Sequence, residues 1–162
     1  MALHESPELR TVSILLDYHF GRGVGKAAPK TKLRLVYSRR SGRLKLIFHD
    51  GKLFATVRPA GSMALTVYAA SILARSRSFR QNFVQVADET SEFVKSGKSV
   101  FCKFVRWAGK NINPLSEVVV VDSKRKVLGV GTAVLNGKHM ATFSAGVAVK
   151  VRKGRESPDS PS

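Results

Sequence analysis

The sequence predicts an α+β fold: a small N-terminal α+β domain followed by a β pseudobarrel built around one main helix. Three observations predict it. Apolar residues recur at helical spacing from Leu9 to Phe20 and switch to strict alternation after Thr31. The C-terminal half holds five or so short strand-like runs, FVQV, GKSVFCKFV, EVVVVD, VLGVGTAVLN and VAVKVR, around a single clear helical stretch, the pattern of a closed or nearly closed barrel. The length of 162 residues, 43% of them hydrophobic, suits two small packed domains. The boundaries read as 1–80 for the first domain, 81–153 for the barrel and 154–162 for a polar, proline-rich tail expected to be disordered.

The elements follow in order. Ser6 and Pro7 give a capping hydroxyl and a proline at the first helical position; Leu9, Val12, Leu16 and Phe20 form the apolar stripe, and Gly21 stops the helix. The segment GRGVGK at 21–26 has the look of a phosphate-cradling loop, but it follows a helix rather than a strand. A flexible linker and a backbone contact to phosphate both stay open for it. Leu33, Leu35 and Tyr37, then Leu44, Leu46 and Phe48, make a hairpin around the basic turn RRSG. Asp50 and Gly51 turn the chain into LFATVR, which ends at Pro59, and a helix is expected near Tyr68 to Arg75. RSRS at 75–78 marks the boundary.

In the second unit FVQV is a strand, and Asp88 is expected to cap a helix reaching Ser96 with Phe93 facing inward. GKSVFCKFV is expected to be one strand over 99–106, with Val100, Cys102 and Phe104 on its apolar face and Ser99, Phe101 and Lys103 on the other. That second face suits phosphate and a base or sugar; alternatively Phe101 lies under a neighbouring helix and Lys103 is merely solvated. SKRK is a basic turn, Gly129 and Gly131 sit in the following strand, and a short turn or helix spans Lys138 to Phe143.

Charge points to a partner. Against 28 Lys and Arg stand 11 Asp and Glu, a net +17, and a folded surface so basic fits a shaped polyanion, nucleic acid first. Between Asp17 and Asp88 the sole acid is Asp50. No apolar run approaches the ~18 residues of a membrane span, and the N-terminus lacks a secretory pattern, so a soluble cytoplasmic protein is expected. The lone Cys102 makes no internal disulfide or thiolate zinc site. His4, His19, His49 and His139 have no metal-ligand spacing, and Asp17 with His19, two apart on a helix, do not face each other. No catalytic residue, cofactor or metal is expected.

The order of helix, GKSVFCKFV, EVVVVDSKRKVLGVGTAVLN and GVAVKVR resembles the PUA domain, an RNA-binding pseudobarrel. LDYHFGRGVGKA with SRRSGRLKLIFHDGKLFATVRP is similar to the domain that precedes PUA in the archaeosine-type archaeal tRNA-guanine transglycosylases. The resemblance runs from about Leu16 to Arg152. It implies a PUA-type groove formed by residues 88–96, 99–106 and 127–135, with Lys98, Ser99, Phe101 and Lys103 at the groove and Gly129 and Gly131 either admitting an RNA backbone or serving close strand packing. Arg106, Arg125, Lys150 and Arg152, and the arginine turn of Arg39, Arg40 and Arg43, are further RNA-contact candidates; at the last strand the other reading is a solvated edge that resists pairing. The enzymes of that family resemble a barrel with catalytic aspartates and a cysteine-rich zinc site, neither of which this sequence, with one cysteine and no room for such a barrel, could build.

The implied function is a non-catalytic RNA-binding protein that grips structured RNA, the acceptor end of tRNA first, in tRNA modification. The alternatives are an obligatory RNA-binding subunit of a split transglycosylase, partnered by a separately encoded catalytic chain, and a ribosome- or translation-associated PUA protein. A general nucleic-acid coating protein would show no preference for folded RNA over duplex DNA.

Overall fold

The computed structural model describes residues 5–157, in two compact units that divide between Phe79 and Arg80. Among these residues no helix is long and apolar enough to cross a membrane.

The first unit opens with α1 (Pro7–Phe20), whose first turn is capped by Ser6 Oγ accepting the Leu9 N–H at 3.1 Å. Leu9, Val12, Leu16 and Phe20 are all buried, each contributing on the order of 1.5–3 kcal/mol for a fully covered side chain. Four strands follow as an antiparallel meander: β1 (Leu33–Tyr37), β2 (Leu44–His49), β3 (Lys52–Val57) and β4 (Met63–Leu65). Thr66 then caps α2 (Val67–Leu73) by accepting the Ala69 N–H, while its hydroxyl donates to the Leu53 carbonyl at 2.9 Å. Phe20, Ile47, Phe54, Leu73 and Phe79 are fully enclosed.

GRGVGK is a packed turn and not a flexible linker. Val24–Ala27 is a 3-10 turn with Val24 and Gly25 buried. A Cβ on Gly25 would lie 2.3 Å from the Ser13 carbonyl oxygen, so only glycine lets this turn lie against α1.

The second unit is a six-stranded sheet in the order β6-β10-β9-β8-β5-β7. Its elements are β5 (Phe83–Val86), α3 (Ser91–Lys95), β6 (Val100–Phe101), β7 (Val105–Ala108), β8 (Glu117–Val121), β9 (Val127–Ala133), α4 (Gly137–Thr142) and β10 (Val147–Gly154). Only the β5–β8 pair is parallel. The two edge strands, β6 and β7, are consecutive in the chain and joined by the 3-10 turn Cys102–Phe104. That turn nearly closes the sheet into a barrel around Val84, Val100, Cys102, Val118, Leu128, Met140 and Val149.

This closure corrects the expected strand over 99–106. The chain must step from one sheet edge to the other, so pairing breaks at Cys102–Phe104, although Val100 and Cys102 stay buried and Ser99, Phe101 and Lys103 exposed. Asp88 does not cap a helix. Its carboxylate accepts from the Ser123 N–H and hydroxyl, at 3.1 and 2.7 Å, and fastens the β8–β9 turn. Residues 154–157, expected to be part of a disordered tail, are ordered. Gly154 belongs to β10, and the N–H groups of Arg155, Glu156 and Ser157 donate to Leu128, Lys95 and Gly154 carbonyls. The rest of the expected tail, from 158 on, lies outside the described residues, as does His4.

Candidate nucleic-acid interface

The exposed residues nearest in sequence to β6 form a ring-and-ammonium surface. α3 buries Val94, and on a helix of 3.6 residues per turn the adjacent Phe93 is turned about 100° away, so Phe93 is 56% exposed rather than facing inward. The chain folds back after α3 through a Lys98 N–H to Phe93 carbonyl bond of 2.9 Å. Lys98 Nζ thereby stands 5.6 Å from the Phe93 ring centroid. Ser99 is exposed, Val100 anchors the strand in the core, and Phe101, paired with Val147 of β10, is 48% exposed. Lys103 projects from the 3-10 turn with Nζ 4.9 Å from the Phe104 centroid. Among the described residues none of Lys98, Lys103 and Lys150 has an ion-pair partner. Their charge is available to an anion.

The other predicted residues separate. Arg106 is exposed and donates to the Lys103 carbonyl at 3.0 Å, bracing the turn that carries Lys103. Lys150 is exposed on β10 opposite Thr132. Arg152 is not a free cation: its guanidinium forms a two-bond pair with Glu117, one bond of 2.8 Å, and the Glu117 side chain is 5% exposed. Gly129 and Gly131 are buried, and a Cβ would meet the Lys153 carbonyl at 2.9 Å and the Lys150 carbonyl at 2.2 Å. Their missing side chains serve the approach of β10 to β9. Arg125 lies on the β8–β9 turn and lines a different cleft, with Trp107.

In the first unit Arg39, Arg40 and Arg43 are exposed on the β1–β2 turn. Arg43 reaches the Pro59 carbonyl at 3.4 Å. Together with Lys45 and Arg58, Arg40 and Arg43 rim a groove of about 630 Å³ that Leu15, Leu44, Val57 and Pro59 make apolar.

Sequence reasoning missed Phe93 and Trp107 as exposed rings. A one-turn helix carries too little periodicity to orient Phe93, while the signal for Trp107 is its place across from polar Gln85. The remaining titratable groups read as structural. Burial raises the Cys102 thiol above its ordinary value, away from the reactive thiolate. His49 Nδ1 lies 2.6 Å from the Tyr68 hydroxyl, the two rings stacked, and His139 stacks on Phe143. Among the described residues no cluster of His, Cys, Asp and Glu could hold a metal.

Comparison with known proteins divides the chain at the same place. Residues 82–155 match the PUA domain, and residues 10–79 match the patch-forming domain C2 of tRNA-guanine transglycosylase. A tRNA-guanine(15) transglycosylase of Thermoplasma volcanium is 34% identical over 150 residues, 92% of this chain and 24% of that protein. Its counterpart in Thermococcus kodakarensis is 37% identical over 146 residues, 90% of this chain and 25% of that one. The chain thus spans about a quarter of the length of these relatives. Among solved structures, a hypothetical protein of Pyrococcus horikoshii matches at a TM-score of 0.70 and 22% identity, covering 91% of this chain and 89% of that one. A conserved PUA domain protein of Thermoplasma acidophilum matches at 0.62 and 18%, covering 90% and 86%. At these identities the structural matches show the fold.

Proposed function

We propose that this chain, a PUA-domain protein that carries the patch-forming C2 domain of tRNA-guanine transglycosylase ahead of its PUA domain, binds structured RNA, tRNA first, in tRNA modification. One observation carries the reading. Around the end of α3 and β6, Phe93, Lys98, Phe101 and Lys103 alternate rings with ammonium groups that no carboxylate neutralises among the described residues. Ammonium groups meet phosphates without reading sequence, and exposed rings take bases or sugars. Lys150, Arg106 and the Arg39, Arg40 and Arg43 turn extend the positive surface within their own units. The net charge of +17 adds long-range attraction for a polyanion.

These residues carry a grip: rings and cations that hold an RNA. In this reading base exchange, archaeosine-type or other, is work for a separate catalytic chain. The place of action is the cytoplasm, where tRNA is modified. The test is competition between tRNA and duplex DNA across a salt series. With ~5 phosphates neutralised, log K falls with log salt at a slope of roughly 4, and tRNA outcompetes duplex DNA. Equal affinity for both would reduce the protein to a general polyanion binder.

A second reading, an obligatory subunit of a split transglycosylase, is favoured by α1, where Ile14 is 61% and Tyr18 82% exposed beside the groove lined by Leu15. Exposed apolar surface of this kind marks contact with protein. Base exchange that appears only when this chain is added to a separate barrel chain would establish it.

A further inference from the structure

The outer face of β5 and β7 carries a cleft that the reading above leaves unused. Gln85 of β5 lies across from Trp107 of β7 on one side and Val121 of β8 on the other. Val84, Val86 and Val105 turn into the core, so Gln85 and Trp107 stand side by side facing out, with Trp107 40% exposed. Arg80, Gln81, Phe83 and Arg125 complete the lining of a space of about 310 Å³, within the ~300–1,000 Å³ range of small-ligand sites. No carboxylate lines it.

The polar groups here are presented and unused. Among the described residues, the Gln85 amide and the Arg80 and Arg125 guanidiniums have no hydrogen-bonding or ionic partner. Gln81 accepts the Lys110 N–H at 3.1 Å through Oε1, which fixes its amide group. Arg125 comes from a turn held rigid by Asp122, whose carboxylate accepts the Lys124 and Lys126 N–H groups at 2.9 Å each and whose carbonyl accepts the Arg125 N–H at 3.0 Å.

An indole face, an amide offering both donor and acceptor, and two cations together complement one nucleotide whose base is free. A base in a duplex hides its face in the stack, so paired RNA cannot use the indole. We propose that this cleft takes a single unpaired nucleotide of the bound RNA, its base on Trp107 and against the Gln85 amide, its phosphate toward Arg80 and Arg125. The proposal rests on the RNA-binding reading and adds a second, base-sensing contact to it.

Trp107 is the chain's one tryptophan, so its fluorescence reports on the cleft alone. The full chain is titrated with a single-stranded RNA trinucleotide and with ribose 5-phosphate, which has no base, while tRNA binding is measured by filter retention. Saturable quenching by the trinucleotide and none by ribose 5-phosphate is expected. Trp107→Ala lowers tRNA affinity roughly 5- to 150-fold, the stacking scale converted at tenfold per ~1.4 kcal/mol. Gln85→Ala, at a half-buried position outside the core, and Arg125→Ala, at an exposed one, weaken trinucleotide quenching with little change in melting. Retained tRNA binding with no trinucleotide quenching overturns the cleft and leaves the RNA-binding reading standing. Equal quenching by ribose 5-phosphate makes it an anion site and overturns the base contact. Loss of both tRNA and trinucleotide binding in the parent chain overturns the RNA-binding reading, and this proposal with it.

Discussion

Asp17 Oδ1 accepts the backbone N–H of Gly25 at 2.6 Å and that of Gly23 at 3.1 Å. One carboxylate oxygen of the last turn of α1 thus pins the glycine segment that follows it and satisfies the amides an anion would need. Asp17→Ala leaves both N–H groups without their acceptor, and a loss of about 1–3 kcal/mol is expected from hydrogen bonds to a charged group in a partly buried turn. Asp17→Asn keeps an acceptor and costs less. Thermal melting orders the three proteins, and tRNA affinity at low temperature stays level. A rise in affinity for Asp17→Ala with unchanged melting, the freed Gly23 and Gly25 amides taking a phosphate, would return the segment to phosphate binding.

Gly131 tests the assignment of the β9 glycines to strand packing. Gly131→Ala drives a Cβ into the Lys150 carbonyl, an overpacking expected to cost roughly 1–3 kcal/mol or more. Melting falls while RNA affinity of the folded fraction holds. A variant that melts normally but binds poorly would place RNA backbone at this strand.

Much of this fold is legible in the sequence, and the failures share a cause. The valine run of β8 and the stripe of α1 announce themselves because burial follows local period. The break at Cys102–Phe104 does not, since it is imposed by closing one sheet edge on the other, a relation between β6 and β7 that their own residues do not encode. Arg152 reads as a free cation because Glu117 is 35 residues away in the chain. Ser99, Phe101 and Lys103 are exposed for a reason the sequence does carry, their alternation with Val100 and Cys102.

Asp88 predicts a pH dependence. Its two bonds from Ser123, the side-chain one first, hold the Asp88 carboxyl below its ordinary value. A carboxylate favoured by the folded state contributes stability that is present above its unfolded pKa, about 4, and is lost as pH falls through the lowered folded value. Asp88→Asn therefore melts below the parent at neutral pH, and the two curves converge in acid. A constant gap from pH ~7 down to ~3 would mean that the carboxylate's charge plays no part.

Phe101 and Lys103 decide the interface itself. Phe101 is half exposed, so Phe101→Ala removes little packing and its melting temperature should change modestly; a core phenylalanine would cost ~3–5 kcal/mol. If its ring meets a base or sugar, tRNA affinity falls by about 1–3 kcal/mol, and Phe93→Ala, across the same surface, behaves alike. Lys103→Ala removes one phosphate contact, so binding weakens and the salt slope shrinks by roughly 0.7–0.9. Because Arg106 is bonded to the Lys103 carbonyl and not to its side chain, the turn survives the change and the loss reports charge alone. Melting and tRNA affinity are measured on all three variants over the same salt series. Collapsed melting for Phe101→Ala, together with an unchanged slope for Lys103→Ala, would make this surface an ordinary solvated edge of the barrel.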